Sequence, residues 1–139
     1  MLERRLISFT VGSYRFGVPI EAVREVLNVA SIVPVPGGRL PLEGILPYRS
    51  NMVLPVFSLL DLLGNRHDET GSLVVVTGPE NDPVGFRVRN MGGVMVSGEN
   101  DEIAPWEGES EITGVAISGV LKKAGGELIL LEMDRLFDE

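Results

Sequence analysis

His67 is the only histidine in the chain, and histidine is the side chain most often used as a general base near neutral pH. It lies in the polar run Asn-Arg-His-Asp-Glu-Thr between two apolar segments, and such runs are typical of exposed turns. The chain has no cysteine, which removes thiolate nucleophiles, disulfides and sulfur ligands. We therefore predict no catalytic residue and no metal site.

Acidic residues are the next candidates for chemistry. The run between Gly98 and Glu111 is rich in carboxylates but lacks the ligand spacing of an EF-hand loop, so it is predicted to be a solvated surface connection. Asp61 and Asp134 could form an acid-base pair only if folding brought them together. The three glycine pairs match no phosphate-binding motif, and no cofactor is expected. They are Gly37-Gly38, Gly92-Gly93 and Gly125-Gly126.

Composition limits the partners. A net charge of -8 and a pI near 4.7, with the basic residues scattered, argue against nucleic acid binding. The first apolar stretch, after Arg4-Arg5, is too short for an export signal, and no apolar run approaches the ~20 residues that cross a bilayer. We expect a cytoplasmic protein with no direct membrane insertion, folded as a single domain over residues 1–139.

Many short apolar runs, separated by 17 glycines and 9 prolines, predict an all-β fold of the barrel or sandwich type. Three segments instead predict short helices: Pro19 to Leu27, where a helical turn leads into a strand, Leu59 to Leu63, and Met133 to Phe137. The predicted strands are Leu6–Val11, Tyr14–Val18, Val53–Phe57, Leu73–Thr77, Val84–Val88, Gly93–Val96, Gly114–Leu121 and Glu127–Glu132.

A weak internal repeat organises these elements. Three segments recur in the same order, and this predicts two similar β lobes over about residues 14–64 and 72–137, with the N-terminal strand a candidate for exchange between them. Each half is too small to bury much core, so the lobes are expected to share one. The matched pairs are Gly17–Val26 with Gly85–Val94, Glu43–Ile45 with Thr113–Val115, and Leu54–Leu63 with Leu128–Phe137.

Six short motifs follow one another along nearly the whole chain: Phe16–Val18, Val23–Val26, Gly44–Ser50, Pro55–Leu59, Gly85–Arg89 and Leu130–Met133. In their order and spacing they resemble the CheW family of chemotaxis coupling proteins. The sequence departs from the family pattern at Pro47, where Asn is usual, at Ser50, where Gly is usual, and at Ser58, where Asp is usual. Arg89-Asn90 also replaces an acidic position in the second half.

The resemblance implies two SH3-like five-stranded β-barrel lobes around a shared hydrophobic core, a few short helices and no enzymatic activity. The implied partners are the cytoplasmic tip of a chemoreceptor and the regulatory domain of a CheA-type histidine kinase. The implied receptor-binding residues are Val23, Glu25 and Arg49. Val23 would supply an apolar anchor, and the carboxylate and guanidinium would fix the register.

Other readings of the same residues remain open. Val23 could be a core residue, Glu25 a solvated charge and Arg49 a turn residue. The protein could be a small-molecule or peptide-binding β-barrel, or a CheW-like scaffold for a partner that is not a receptor. Loop-favouring neighbours predict that Arg49 reaches solvent and rests on Glu25 or Glu43. Trp106 is expected to be partly anchored.

Overall fold

A computed structural model describes residues 4–39, 41–63, 71–98, 101–107, 116–123 and 126–135. Strands dominate these ranges, and none of the helices in them has the length and apolar character needed to cross a membrane. Besides helix α1 (Leu59–Leu62), the described ranges contain three 3₁₀ turns, at Ile20–Ala22, Arg49–Asn51 and Met133–Arg135. The strands are β1 (Arg4–Val11), β2 (Tyr14–Pro19), β3 (Glu25–Asn28), β4 (Leu42–Tyr48), β5 (Met52–Phe57), β6 (Leu73–Thr77), β7 (Val84–Val88), β8 (Asn90–Ser97), β9 (Glu102–Ala104), β10 (Ile117–Lys123) and β11 (Gly126–Leu131).

The strands form two sheets with the same strand arrangement. One sheet has the order β3-β6-β7-β5-β4, and the other has the order β8-β1-β2-β11-β10, with β9 added at its edge. Each sheet contains one parallel pair at the equivalent place, β5 with β7 and β11 with β2. The all-β prediction is confirmed, and the sheets repeat the order of elements that the sequence repeat indicated.

The sheets do not follow the predicted ranges 14–64 and 72–137. The hairpin of β1 and β2 lies in the sheet of β8 to β11, and the hairpin of β6 and β7 lies in the sheet of β3 to β5. The reason is parallel strand pairing. β2 pairs with β11 through Phe16 and Ile129, and β7 pairs with β5 through Phe86 and Phe57, so each hairpin is attached to a strand of the other predicted lobe. One sheet is therefore continuous in sequence from β3 to β7, while the other combines both ends of the described chain.

A large apolar cluster lies between the sheets and contains side chains from both, as the expectation of a shared core required. Its central members include Phe9, Phe16 and Phe86, each 1% exposed or less. We call this the shared cluster. A second cluster around Leu54 belongs to the five-stranded sheet alone, and a third around Leu128 belongs to the six-stranded sheet; these are the inner clusters of the two sheets.

The uninterrupted valine run in β6 is explained by these three clusters. Val75 faces the shared cluster, while Val74 and Val76 face the inner cluster of the five-stranded sheet. In β11, Ile129 likewise joins the shared cluster and Leu128 the inner one. Both faces of these strands are covered, so the sequence shows no polar alternation there.

The sequence analysis missed two strands, β4 and β9, and correctly predicted a helical turn leading into β3. Pro47 and Gly44 interrupt the apolar pattern of β4, which is an edge strand, where a proline without an N–H group is tolerated. The segment predicted as a helical turn leading into a strand is one short 3₁₀ turn followed by β3. Part of the acidic stretch, predicted to be a connection, forms β9 against β10.

In each sheet, contacts connect the regions near its two edges. In the five-stranded sheet, the segment after β3 reaches β4, where Val33 and Ile45 exchange two backbone hydrogen bonds of 3.0 and 2.8 Å. Gly44 permits this approach, because a Cβ atom there would lie 2.4 Å from the Val33 carbonyl oxygen. In the six-stranded sheet, Lys123 Nζ donates to the Val96 carbonyl oxygen on β8 at 3.1 Å and pairs with Asp101 at 3.0 Å.

Candidate functional site

Glu25 is the first residue of edge strand β3, and its carboxylate is held from the opposite edge of the same sheet. Tyr48, the last residue of β4, donates its hydroxyl to Glu25 Oε1. Arg49 Nη2 donates to Glu25 Oε2 at 2.6 Å. The carboxylate therefore joins the two edges of the five-stranded sheet, and each of its oxygens accepts a hydrogen bond from the protein itself.

Tyr48 is the residue of this group that the sequence analysis did not identify. Its ring is half-buried against the inner cluster of the five-stranded sheet, and its hydroxyl points to Glu25. Burial of the phenol, followed by the hydrogen bond and the negative charge of Glu25, raises the pKa of Tyr48 above its ordinary value. The hydroxyl is thus kept protonated and available as a donor.

Arg49 is the exposed member of the group. Its side chain is 73% exposed, against 22% for Glu25, and its guanidinium carbon lies 5.9 Å from the centre of the Tyr48 ring. The prediction that Arg49 reaches solvent and rests on Glu25 or Glu43 is therefore confirmed for Glu25. Glu43 pairs instead with Arg87, whose Nε lies 3.5 Å from Glu43 Oε1.

The turn that follows Arg49 has an unusual backbone. Ser50 (φ 55°, ψ 38°) and Asn51 (φ 62°) both adopt the left-handed conformation, and they are the only non-glycine residues with positive φ in the described ranges. Asparagine tolerates this region better than serine does, and glycine occupies it without steric cost. The serine that stands where the resembled family has glycine is thus under backbone strain.

Replacing Ser50 with glycine should stabilise the protein by about 0.5 to 1 kcal/mol, because removal of Cβ relieves a left-handed strain of roughly 1–2 kcal/mol and outweighs the extra chain entropy. Chemical denaturation followed by circular dichroism would measure the change. The matched control is Ser31→Gly, at an exposed serine outside the positive-φ set, which should be neutral or slightly destabilising. A loss of stability in Ser50→Gly would contradict the strain argument.

Val23 lies two residues before Glu25, just after the first 3₁₀ turn, and is half-buried against the shared cluster. Val23 packs against the shared cluster, whereas Arg49 pairs with Glu25. The structure therefore brings Glu25 and Arg49 together and leaves Val23 as a neighbour along the chain. Arg24, between Val23 and Glu25, is exposed and close enough for its charge to act on the Tyr48 hydroxyl.

A surface cavity of about 660 Å³ lies beside the first 3₁₀ turn, between the β6–β7 turn and the turn at Met133–Arg135. Its floor includes Ala22 and Met133, and acidic side chains lie around it. Asp134 lines this cavity and Asp61 does not, so the cavity does not assemble the acid-base pair considered above. Within the described residues, no cluster of three or more potential ligands could hold a metal ion.

Other sequence predictions have mixed outcomes. Trp106 is half-buried against the shared cluster, as expected of a partly anchored residue. His67 lies outside the described residues, as do residues 99–100 and 108–111 of the acidic stretch. The candidate site in the described part of the chain is therefore the group formed by Glu25, Tyr48 and Arg49.

The fold and this group define a two-sheet β protein with an exposed arginine held at the edges of one sheet. A family model described as "CheW-like domain" matches residues 5–139, which include all the strands of both sheets except the first residue of β1. The chain belongs to the CheW-like domain family. Its role is that of a chemotaxis coupling adaptor.

Individual CheW proteins match this chain over most of their own lengths. The chemotaxis protein CheW of Thermotoga maritima is 27% identical over 138 residues, which cover 99% of this chain and 89% of that protein. The chemotaxis protein CheW of Treponema pallidum is 25% identical over 139 residues, which cover 96% and 81% of the two chains. The scaffolding protein TtCheW of Thermoanaerobacter tengcongensis shares the fold, with a TM-score of 0.80 at 23% identity over 100% of this chain and 90% of that one.

Proposed function

We propose that the protein couples the cytoplasmic tip of a chemoreceptor to the regulatory domain of a CheA-type histidine kinase, and that it does so in the cytoplasm by binding alone. The observation that carries the proposal is the family match across both sheets, residues 5–139. Coupling of this kind needs two contact surfaces and no bond-making, since it transmits a difference in binding free energy.

The receptor contact is assigned to the surface that contains Val23, Glu25 and Arg49. Val23 is accessible enough to touch a docked helix at its rim, and Arg49 is the most exposed side chain of the group. A helical tip binds through apolar anchors and uses charged side chains to fix its register. The half-buried position of Val23 supports a smaller role for it than for Arg49.

The kinase contacts are assigned to apolar side chains on the outer surfaces of the two sheets. Val53 on β5 is 56% exposed and lines a shallow cavity of about 360 Å³ next to Pro47. Ile103 on β9, in the other sheet, is 51% exposed. Two such surfaces on one molecule let it bind two copies of a double-lobed partner, so that contacts alternate and assemblies grow.

The proposal predicts that wild-type protein mixed with the kinase regulatory domain forms assemblies larger than one-to-one at high concentration. Val53→Asp or Ile103→Asp alone should limit the mixture to one-to-one complexes, because each removes one apolar surface and leaves the other. The double variant should not bind. Size-exclusion chromatography with light scattering would measure the masses.

The matched control is Val94→Asp, at a residue 53% exposed on β8, which should leave kinase assembly unchanged. A second measurement adds a chemoreceptor cytoplasmic signalling fragment from the same genome and scores co-sedimentation of all three proteins. The proposed function fails if wild-type protein binds neither partner. The assignment of the two surfaces fails if both single variants still form large assemblies.

A further inference from the structure

Glu25 is mostly covered and is already bonded within the protein. Its two carboxylate oxygens already accept bonds from Tyr48 and Arg49, and only 22% of its side chain is exposed. A mostly covered carboxylate with these hydrogen bonds acts mainly by fixing the positions of the side chains that donate to it. Arg49, in contrast, has a guanidinium with five N–H donors, and its hydrogen bond to Glu25 uses one of them.

The group brings two basic residues close to one acidic residue. The chain carries a net charge of -8, yet Arg24 and Arg49 outnumber Glu25 next to the Tyr48 hydroxyl. The exposed guanidinium of Arg49 attracts an acidic group at this point of the surface. The planar guanidinium fork of Arg49 matches the geometry of a carboxylate.

Free arginine side chains lose substantial conformational entropy when they bind, and a side chain that is already held loses less. Tyr48 supplies the holding, since its hydroxyl fixes the Glu25 carboxylate and its ring lies beside the Arg49 guanidinium. The left-handed turn at Ser50 and Asn51 directly follows Arg49 in the chain.

We propose that Tyr48 is a positioning residue that fixes Glu25, and through it Arg49, so that the outward N–H groups of Arg49 bind a carboxylate on the docked partner. The partner is therefore expected to carry an acidic side chain that meets Arg49, next to apolar side chains that meet Val23. This inference rests on the proposed function for the identity of the partner, because the receptor fragment is the protein expected to carry that carboxylate.

The first test uses the free protein and does not depend on any partner. In the Tyr14→Phe background, which leaves Tyr48 as the only tyrosine, ultraviolet titration should give a pKa above the ordinary tyrosine value. Adding Glu25→Gln should lower it, since loss of the neighbouring negative charge makes the phenolate easier to form. Tyr48→Phe should also increase the mobility of Arg49, measured by NMR relaxation of its side-chain Nε–H group.

The second test measures binding of the chemoreceptor cytoplasmic signalling fragment by calorimetry at several salt concentrations. Tyr48→Phe should weaken binding about three- to tenfold, and Arg49→Gln should weaken binding and reduce its salt dependence. In the Arg49→Gln background, Tyr48→Phe should have no further effect, because its contribution acts through Arg49. Tyr14→Phe is the matched control and should bind like wild type.

The outcomes separate the two claims. If wild-type protein does not bind the receptor fragment, the proposed function fails, and the partner carboxylate is overturned with it. Unchanged Arg49 mobility in Tyr48→Phe overturns the positioning role whatever the receptor does. Equal weakening by Tyr48→Phe with and without Arg49 also overturns it, because that result indicates a general structural effect.

Discussion

Arg49→Glu should weaken binding of the receptor fragment at least tenfold while leaving the midpoint of thermal unfolding nearly unchanged. The side chain is 73% exposed, and exposed ion pairs contribute about 0 to 1 kcal/mol to folding. An arginine at the centre of an interface can contribute 2 kcal/mol or more to binding, and reversal of its charge adds repulsion of an acidic partner. Calorimetric titration and a thermal melt monitored by circular dichroism would measure the two quantities.

Leu130→Asp is the matched control for a structural effect. Leu130 is 5% exposed in the inner cluster of the six-stranded sheet, so an aspartate there would be an unpaired buried charge and should unfold the protein. If Arg49→Glu also unfolds the protein, Arg49 is a fold determinant that joins the sheet edges. If that variant folds and binds both partners normally, the receptor site does not include Arg49.

Phe86→Ala should lower the free energy of unfolding by about 3–5 kcal/mol, as expected for loss of a fully buried aromatic side chain. Phe86 is 0% exposed, and its ring lies 6.3 Å from that of Phe57 in the shared cluster. Because that cluster contains side chains from both sheets, both should unfold in one transition. Trp106 follows β9 of the other sheet, so its fluorescence reports on that sheet in a denaturant titration.

The transition seen by Trp106 fluorescence should therefore shift in Phe86→Ala by the same amount as the transition seen by circular dichroism. Val94→Ala, at an exposed residue on β8, should change stability by no more than about 0.5 kcal/mol. A shifted circular dichroism transition with an unmoved fluorescence transition would mean that the sheets fold independently. That result would contradict a single shared core.

Local sequence patterns predicted the strands that have covered faces. The valine run of β6 and the segment of β7 were predicted with the bounds observed, because both faces of these strands are buried and apolar side chains fill them. β4 and β9 were missed for the opposite reason. They lie at sheet edges, where proline, glycine and charged residues are compatible with strand pairing and remove the apolar signal.

Pairing between distant segments could not be predicted in the same way. Nothing local to β2 indicates that it lies parallel to β11 and not beside β3, so the predicted lobe ranges differ from the sheets. The contact of Arg49 with Glu25 was predicted from the loop-favouring sequence around Arg49. The part played by Tyr48 was not, because it depends on the approach of two sheet edges that are far apart in strand order.

The pairing of Phe16 with Ile129 has a consequence for the order of events during translation. Strands β3 to β7 are contiguous, so their sheet can assemble as soon as Val88 has left the ribosome. The hairpin of β1 and β2 emerges first but must wait for β11 before both of its neighbouring strands exist. During that interval its edges and its apolar face, with Phe9 and Phe16, are open to other chains. Ribosomes stalled before and after β11 should therefore differ sharply in the protease resistance of the hairpin of β1 and β2.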